Sequence, residues 1–341
     1  MHLLLFSLLA LTSFLAPAPD SDSTKMSAIR VTAFGGPETL KLEEIARPVP
    51  RDGEALIRVH AAGVNPVDWK IREGKLKGMT PEPPFIPGYD IAGIVDALGP
   101  SEGEPKFKLG DDVYAYLSLT SGGGYAEYAC VPVKNLAKKP RKADWVEAAA
   151  TPLAGLTAWQ ALFDQANLKA GQTVLIHGAA GGVGHFAVQF AKAKGAKVFA
   201  TASPANHDFL KGLGAEVLID YNTQKFEDVV KEKTGGAGVD VVLDTIGGDT
   251  QSRSIGIIKK GGTLVSIVQP PDLAKCKAAG ITGKVFLVQP SGKQLSEIAA
   301  LIDEGKVTSH VSETLPLADA AKAQEISKAG KTRGKIVLKV K

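Results

Sequence analysis

Cysteine is scarce in this chain of 341 residues: Cys130 and Cys276 are its two, far apart and in no metal-ligand spacing. A disulfide-stapled framework is therefore excluded, and the pair reads as two inert thiols rather than a bridge. The six histidines (His2, His60, His177, His185, His207 and His310) are equally scattered, without ligand spacing. Neither sign of charge dominates, since 40 Lys and Arg stand against 36 Asp and Glu, a formal +4. No dense basic cluster interleaves with aromatics, which argues against nucleic acid as a partner. Internal repeats and low-complexity tracts are missing as well. The hydrophobic run at the N-terminus, Leu3 to Leu15, is too short for a comfortable membrane span.

That run precedes Ala16-Pro17-Ala18, a small-residue pattern of the kind a signal peptidase cleaves. Residues 1–25 thus read as a signal-like leader and polar linker, which points to export and leaves no stable membrane span after removal. The positive n-region is weak and Pro19 is unfavourable after the cleavage site. The other reading starts translation at Met26 and keeps the protein in the cytoplasm; the sequence leaves both open.

What the chain has in abundance is glycine, and the decisive cluster lies in GQTVLIHGAAGGVGHFAVQFAK, Gly171 to Lys192. Val174 to Ile176 reads as a buried strand. The turn Gly178-Ala179-Ala180-Gly181-Gly182-Val183-Gly184 follows, and then a helical pattern through Phe186, Val188, Phe190 and Ala191. Strand, glycine turn and helix hold a pyrophosphate: Gly181 admits the phosphates, Gly184 lets the helix pack closely, and the helix N-terminus offers unpaired N–H groups. Ala179 stands where the strict pattern has its first glycine, so context carries the assignment. Further strands are expected at Lys197–Ser203, around Val217–Ile219, and at Val239–Leu243, Thr263–Val268 and Lys284–Val288, with helical spacing between several. The alternation predicts an α/β Rossmann domain, a doubly wound parallel sheet covered on both faces, over residues 153–288.

Residues 26–152 show short strands (Ala55–His60, Ile91–Val95, Asp112–Tyr116, Ala126–Val131) separated by glycine turns, the pattern of a largely antiparallel, barrel-like domain. Residues 289–341, with expected helices at Gly292–Glu304 and Ala320–Ala329 and a strand at Lys335–Val340, return to pack on it. The cleft would lie between the two, at the C-terminal ends of the parallel strands.

From Met26 to Lys341 the chain resembles the zinc-independent medium-chain dehydrogenases/reductases of the quinone oxidoreductase (zeta-crystallin) type, and also plant alkenal/enone reductases. The resemblance rests on GGPETLKLEE, HAAGVNPVDWKIREG, IPGYDIAGIV, GGGYAEYACV, ATPLAGLTAWQAL, the glycine turn and GKIVLKV. It implies a GroES-like first domain, a homodimer, and hydride transfer from a nicotinamide to a small quinone or enone. Zinc-dependent relatives place Cys where this chain has Asn65, and Gly-His-Glu where it has Gly88-Tyr89-Asp90, so no metal site is expected.

NADPH is the expected cofactor. The second strand ends at Thr201-Ala202-Ser203 without the acid that binds an NAD ribose. Tyr221 matches the family tyrosine after the third strand, and His207 is the nearest residue after Ser203 able to carry positive charge. Thr157, Ser266 and Val268 complete the expected cofactor contacts. Without a metal, the substrate oxygen needs hydrogen-bond donors. The resemblance brings Asn65, Lys70 and Tyr89 to the cleft, Asn65 to orient nicotinamide or substrate, Lys70 or Tyr89 to donate to the oxygen. Two alternatives stay open, an enoyl-thioester reductase and a non-catalytic NADPH-binding protein.

Overall fold

The computed structural model describes residues 24–101 and 103–341; the leader reading, apart from residues 24 and 25, lies outside them. Met26, Ala28, Ile29 and Val31 are buried, and their segment forms β1 (Lys25–Val31), antiparallel to β2 (Leu40–Ala46). Neither strand is among those expected above. β2 buries none of its residues fully and leaves Leu42 in solvent; of its apolar side chains only Leu40 and Ile45 pack partly inward, too weak an alternation to read.

The chain continues through β3 (Glu54–Val64), α1 (Pro66–Arg72), β4 (Asp90–Leu98), β5 (Asp112–Tyr116), β6 (Tyr128–Pro132) and β7 (Leu136–Lys138). β3 pairs antiparallel with β4 and β6, β4 with β5, and β5 with β7. Two glycine turns lock before the site. Gly88 has φ +91°, and a Cβ there would sit 2.2 Å from the Tyr125 ring. Gly123, Gly124 and Tyr125 donate to the carbonyls of Ile86, Gly88 and Pro87 at 2.9 Å.

α2 (Trp145–Ala150) and α3 (Pro152–Trp159) lead out of this sheet. Ala148, Ala149 and Ala150 are fully buried, and α2 lies so close on β3 that a Cβ at Gly63 would meet the Ala149 carbonyl at 2.4 Å. Next come β8 (Thr173–Ile176), α4 (Gly182–Ala193), β9 (Lys197–Ala202), α5 (His207–Leu213), β10 (Val217–Asp220) and α6 (Phe226–Lys233). They are followed by β11 (Val239–Asp244), α7 (Gly248–Ser254), β12 (Ile258–Ser266), α8 (Leu273–Ala279) and β13 (Thr282–Val285). These six strands form one parallel sheet in the order β10-β9-β8-β11-β12-β13. The order reverses between β8 and β11, and that switch point opens the crevice where such sheets bind ligands.

The fifth and sixth strands differ from expectation. β12 begins five residues early and stops at Ser266, where the Ser266 hydroxyl accepts the Val268 and Gln269 amides and turns the chain. β13 ends at Val285 because its partner ends there: Ser266 faces Val285 in the register.

α9 (Gly292–Asp303), β14 (Val311–Pro316), α10 (Ala320–Lys328) and β15 (Lys335–Lys339) then return to the first sheet. β15 pairs antiparallel with β3 and parallel with β14, a strand the sequence does not announce, completing seven strands. One buried cluster runs from Ala149 and Leu156 through Val174 and Phe186 to Val337, so both sheets share a core.

Candidate active site

The glycine turn sits where β8 meets α4. Gly178 has φ +59°, and a Cβ there would lie 2.5 Å from the Thr245 hydroxyl. At Gly184 a Cβ would approach the Gly178 carbonyl and the Ala179 backbone at 2.5–2.6 Å. Glycine is therefore required at both points, one for conformation and room, the other for close helix packing. The Ala179 amide donates to the Thr201 carbonyl at 3.1 Å and the Gly181 amide to Gly178 at 3.0 Å. The amides of Gly182, Val183 and Gly184 belong to the first turn of a twelve-residue helix, beyond reach of any helix carbonyl. This cradle fits a dinucleotide diphosphate.

Below the turn, His177 is fully buried between Thr201 and Ser254. The Ser254 hydroxyl donates to Thr250 at 2.7 Å, so His177 donates from Nε2 to Ser254 and accepts at Nδ1 from Thr201. Burial pushes its pKa down to about 4, which keeps the ring neutral.

A cavity of about 690 Å³ runs along the turn. Its wall takes Gly178, Ala180, residues 181–184, Ser203, Tyr221 and, from the first sheet, Asn65. Other expected residues stand elsewhere. Ala179 is fully buried under the turn. The Thr157 hydroxyl donates to its own helix at Leu153, 2.7 Å away. Ser266 is buried off this wall, and its hydroxyl donates to Asp244 at 2.8 Å and shapes the loop after β12. Val268 lies beyond the end of β12, off this wall and exposed. His207 sits with Nε2 3.3 Å from the Ala202 carbonyl, also off the wall.

Of the three expected catalytic residues the structure brings only Asn65 to the cleft wall. Tyr89 is fully buried in the shared core, its hydroxyl without a partner among the described residues and its pKa raised by burial. The glycine turn at Gly88 points it inward. Lys70 is half-buried on α1, one turn after Pro66 of the wall, with its ammonium 5.6 Å from the Trp69 ring. Burial, then Lys75, lowers its pKa.

Asn65 stands in a buried polar cluster at the end of β3. Its Nδ2 donates to Asp90 at 2.8 Å, and its backbone amide donates to Asp68 at 2.8 Å. Lys335 donates to Asn65 Oδ1 and to the Val64 carbonyl, the latter at 2.9 Å. Asp90 also accepts the Leu153 amide at 2.7 Å, and Tyr125 donates to Asp68 at 2.6 Å. Burial raises Asp68 to about 7 and Asp90 to about 6, and lowers Lys335.

Comparison with known proteins decides the family. Residues 51–141 match the alcohol dehydrogenase GroES-like domain, and residues 213–338 match zinc-binding dehydrogenase. The quinone oxidoreductase of Sus scrofa is 37% identical over 92% of this chain and 97% of its own. The chain belongs to the medium-chain dehydrogenase/reductase family. It is an oxidoreductase, and its fold follows that of solved relatives. The quinone oxidoreductase structure from Coxiella burnetii is 38% identical, with a TM-score of 0.83 over 93% of this chain and all of that one. A mycobacterial structure complexed with NADPH is 35% identical, with a TM-score of 0.81 over 92% of this chain and all of that one.

The word zinc in the family description does not fit these residues. Where a metal would need ligands, Asn65 offers an amide, Tyr89 is sealed in the core, and Asp90 already faces two donors and a buried ammonium 3.6 Å away. Among the described residues no group of three or more His, Cys, Asp or Glu could hold a metal ion.

Two site features escape a reading by neighbouring positions. Lys331 joins Ser203, Asn206 and Tyr221 on the wall. Arg333 donates to Asn206 Oδ1 and the Ala205 carbonyl, both at 2.7 Å. Both cations come from the segment before β15, well over a hundred residues away in sequence. Lys335 had one available signal, a charge opening the apolar run KIVLKV, which a buried lysine enters only with partners.

Proposed function

We propose that this oxidoreductase uses NADPH to reduce quinones or α,β-unsaturated carbonyls without zinc. One observation carries the reading: a single cleft joins the Ser203–Lys331 end, the glycine turn and Asn65. When bound, the reduced nicotinamide supplies a hydride. The first-turn amides of α4 hold the diphosphate. Ser203, Asn206, Lys331 and nearby Arg333 receive the 2′-phosphate, the two cations supplying the positive charge at this end. Tyr221, 61% exposed on the wall, offers its ring to the adenine. The NADPH complex of the mycobacterial relative supports this preference.

On the opposite wall, one Asn65 amide proton is engaged by Asp90 and the second remains to donate to an oxygen on which negative charge develops. Lys70, half-buried on α1 one turn beyond Pro66 of the wall and with its pKa lowered by burial, is our candidate source of the proton. A second copy is proposed to pair at β13, one of the two edges of the parallel sheet, where Val285 and Leu287 are 45% and 48% exposed.

The test is NADPH oxidation against a panel of quinones, enones, enals and acyl-thioesters, with and without chelator. Chelator-resistant turnover on a quinone or enone is the expected result. Turnover on thioesters alone selects the enoyl-thioester reductase, and tight NADPH binding without any turnover selects a binding role.

A further inference from the structure

An asparagine amide is ambiguous by itself, because turning it over exchanges donor for acceptor at little steric cost. At Asn65 the two neighbours remove that freedom. Asp90 can only accept when ionised, and it takes the Nδ2 proton at 2.8 Å. The Lys335 ammonium can only donate, and it binds Oδ1. A turned amide would face ammonium with N–H and carboxylate with oxygen, both repulsive. The neighbours are themselves held: the Leu153 amide fixes Asp90 at 2.7 Å, and the Val64 carbonyl fixes Lys335 at 2.9 Å.

Lys335 also touches the other half of the cleft. Its predecessor Gly334 donates to the Ala180 carbonyl of the glycine turn at 2.8 Å. Its stem crosses the mouth of α4, where a Cβ on Gly182 would meet Lys335 Cδ at 3.2 Å. One residue therefore leans its stem on the phosphate turn and grips Asn65 with its head, across the join between the two sheets.

We propose that Lys335 is the positioning residue of this site: it sets the amide orientation of Asn65 and the offset of that amide from the glycine turn. The inference rests on the reading of Asn65 as the oxygen-binding donor. Lys335 itself borders the cleft beside the glycine turn, with its ammonium turned to Asn65 and the Val64 carbonyl; in this proposal it acts through Asn65, with Asp90 as the second jaw. The fully buried cluster admits little relaxation, so a change at Lys335 is felt at the amide.

The experiment compares wild type, Lys335→Met and the double variant Lys335→Met with Asp90→Asn. The single change leaves Asp90 buried without its cation and lowers Tm; the double change removes both charges and restores Tm. If Lys335 positions Asn65, kcat stays down about ten-fold or more in both variants, while NADPH Kd stays within about three-fold. The isotope effect from 4-deuterated NADPH rises in both, as hydride transfer becomes rate-limiting. In protein labelled with ¹⁵N-asparagine, the Asn65 side-chain protons, assigned by their loss in Asn65→Ser, exchange with solvent about ten-fold faster in both variants. Recovery of kcat together with Tm in the double variant overturns the inference, since the role would then be structural. So does a folded Lys335→Met with wild-type kcat and unchanged Asn65 exchange. A wild type inert toward the whole panel overturns the reading of the site, and this inference with it.

Discussion

The proposed 2′-phosphate end of the cleft takes its positive charge from the end of the chain. Lys331 is exposed on its wall, and Arg333 is braced by Asn206 and Ala205. Replacing either with alanine is expected to raise KM for NADPH about ten-fold, the effect of losing one charge-assisted contact, while leaving KM for NADH within about two-fold. Steady-state kinetics with both cofactors checks this, and an equal change for the two would remove these residues from 2′-phosphate recognition. Asp68 makes a different prediction. Burial raises its pKa to about 7 against the opposing pull of Tyr125, the Asn65 amide and Lys335. An acid raised in the folded state binds more protons folded than unfolded between the two values. Its contribution to stability is thus greatest below the unfolded value of about 4 and declines as pH rises through about 7. Asp68→Asn removes that dependence. Thermal unfolding should show wild type losing ground to the variant from about pH 4 to about pH 7, and a constant difference in Tm would contradict the assignment.

Glycine makes the turn between β8 and α4 an element with almost no spare volume. Gly184→Ala would place a methyl 2.5 Å from the Gly178 carbonyl, against backbone that cannot swing aside. The expected cost is about 1–3 kcal/mol of stability, as for overpacking elsewhere, together with weaker NADPH binding because the α4 amides shift. Calorimetry and cofactor titration on one preparation test both parts; unchanged binding would separate helix packing from phosphate holding. The elements also differ in how legible they are. β8, β9 and β11 are apolar runs in the middle of a covered sheet with β10 beside them at one edge, and the sequence places all four within a residue or two. β2 and β14 bury little, and the end of β13 is set by register with β12, so local pattern carries no mark of them.

At the scale of the whole molecule, the parallel sheet ends on one side at β13, beside exposed Val285 and Leu287. Val285→Lys with Leu287→Lys is expected to turn a dimer into a monomer, because edge lysines oppose strand addition. Sedimentation velocity reads the outcome, and a monomeric wild type would dispose of the pairing. Chelator treatment belongs at this scale too. The donor set around Asp90 fits no zinc, so activity and Tm should stay unchanged after prolonged dialysis against chelator, and a stoichiometric metal whose removal abolishes turnover would overturn this.

By itself the sequence determined the two main sheets and the glycine turn, because hydrophobic periodicity and glycine spacing are local properties of the chain; Asn65 came forward only through the resemblance of HAAGVNPVDWKIREG to the family. It also contained the evidence against a zinc centre, in the residue types at positions 65, 89 and 90. Tertiary structure decided what those residues face. It sealed Tyr89 in the core through the Gly88 turn, and turned Thr157 and Ser266 to backbone and loop partners. It brought Lys331, Arg333 and Lys335 from the last strand's approach to Ser203 and Asn65. The physical reason is that β15 pairs with β3, so a contact across some 270 residues is fixed by sheet register, which no local pattern records.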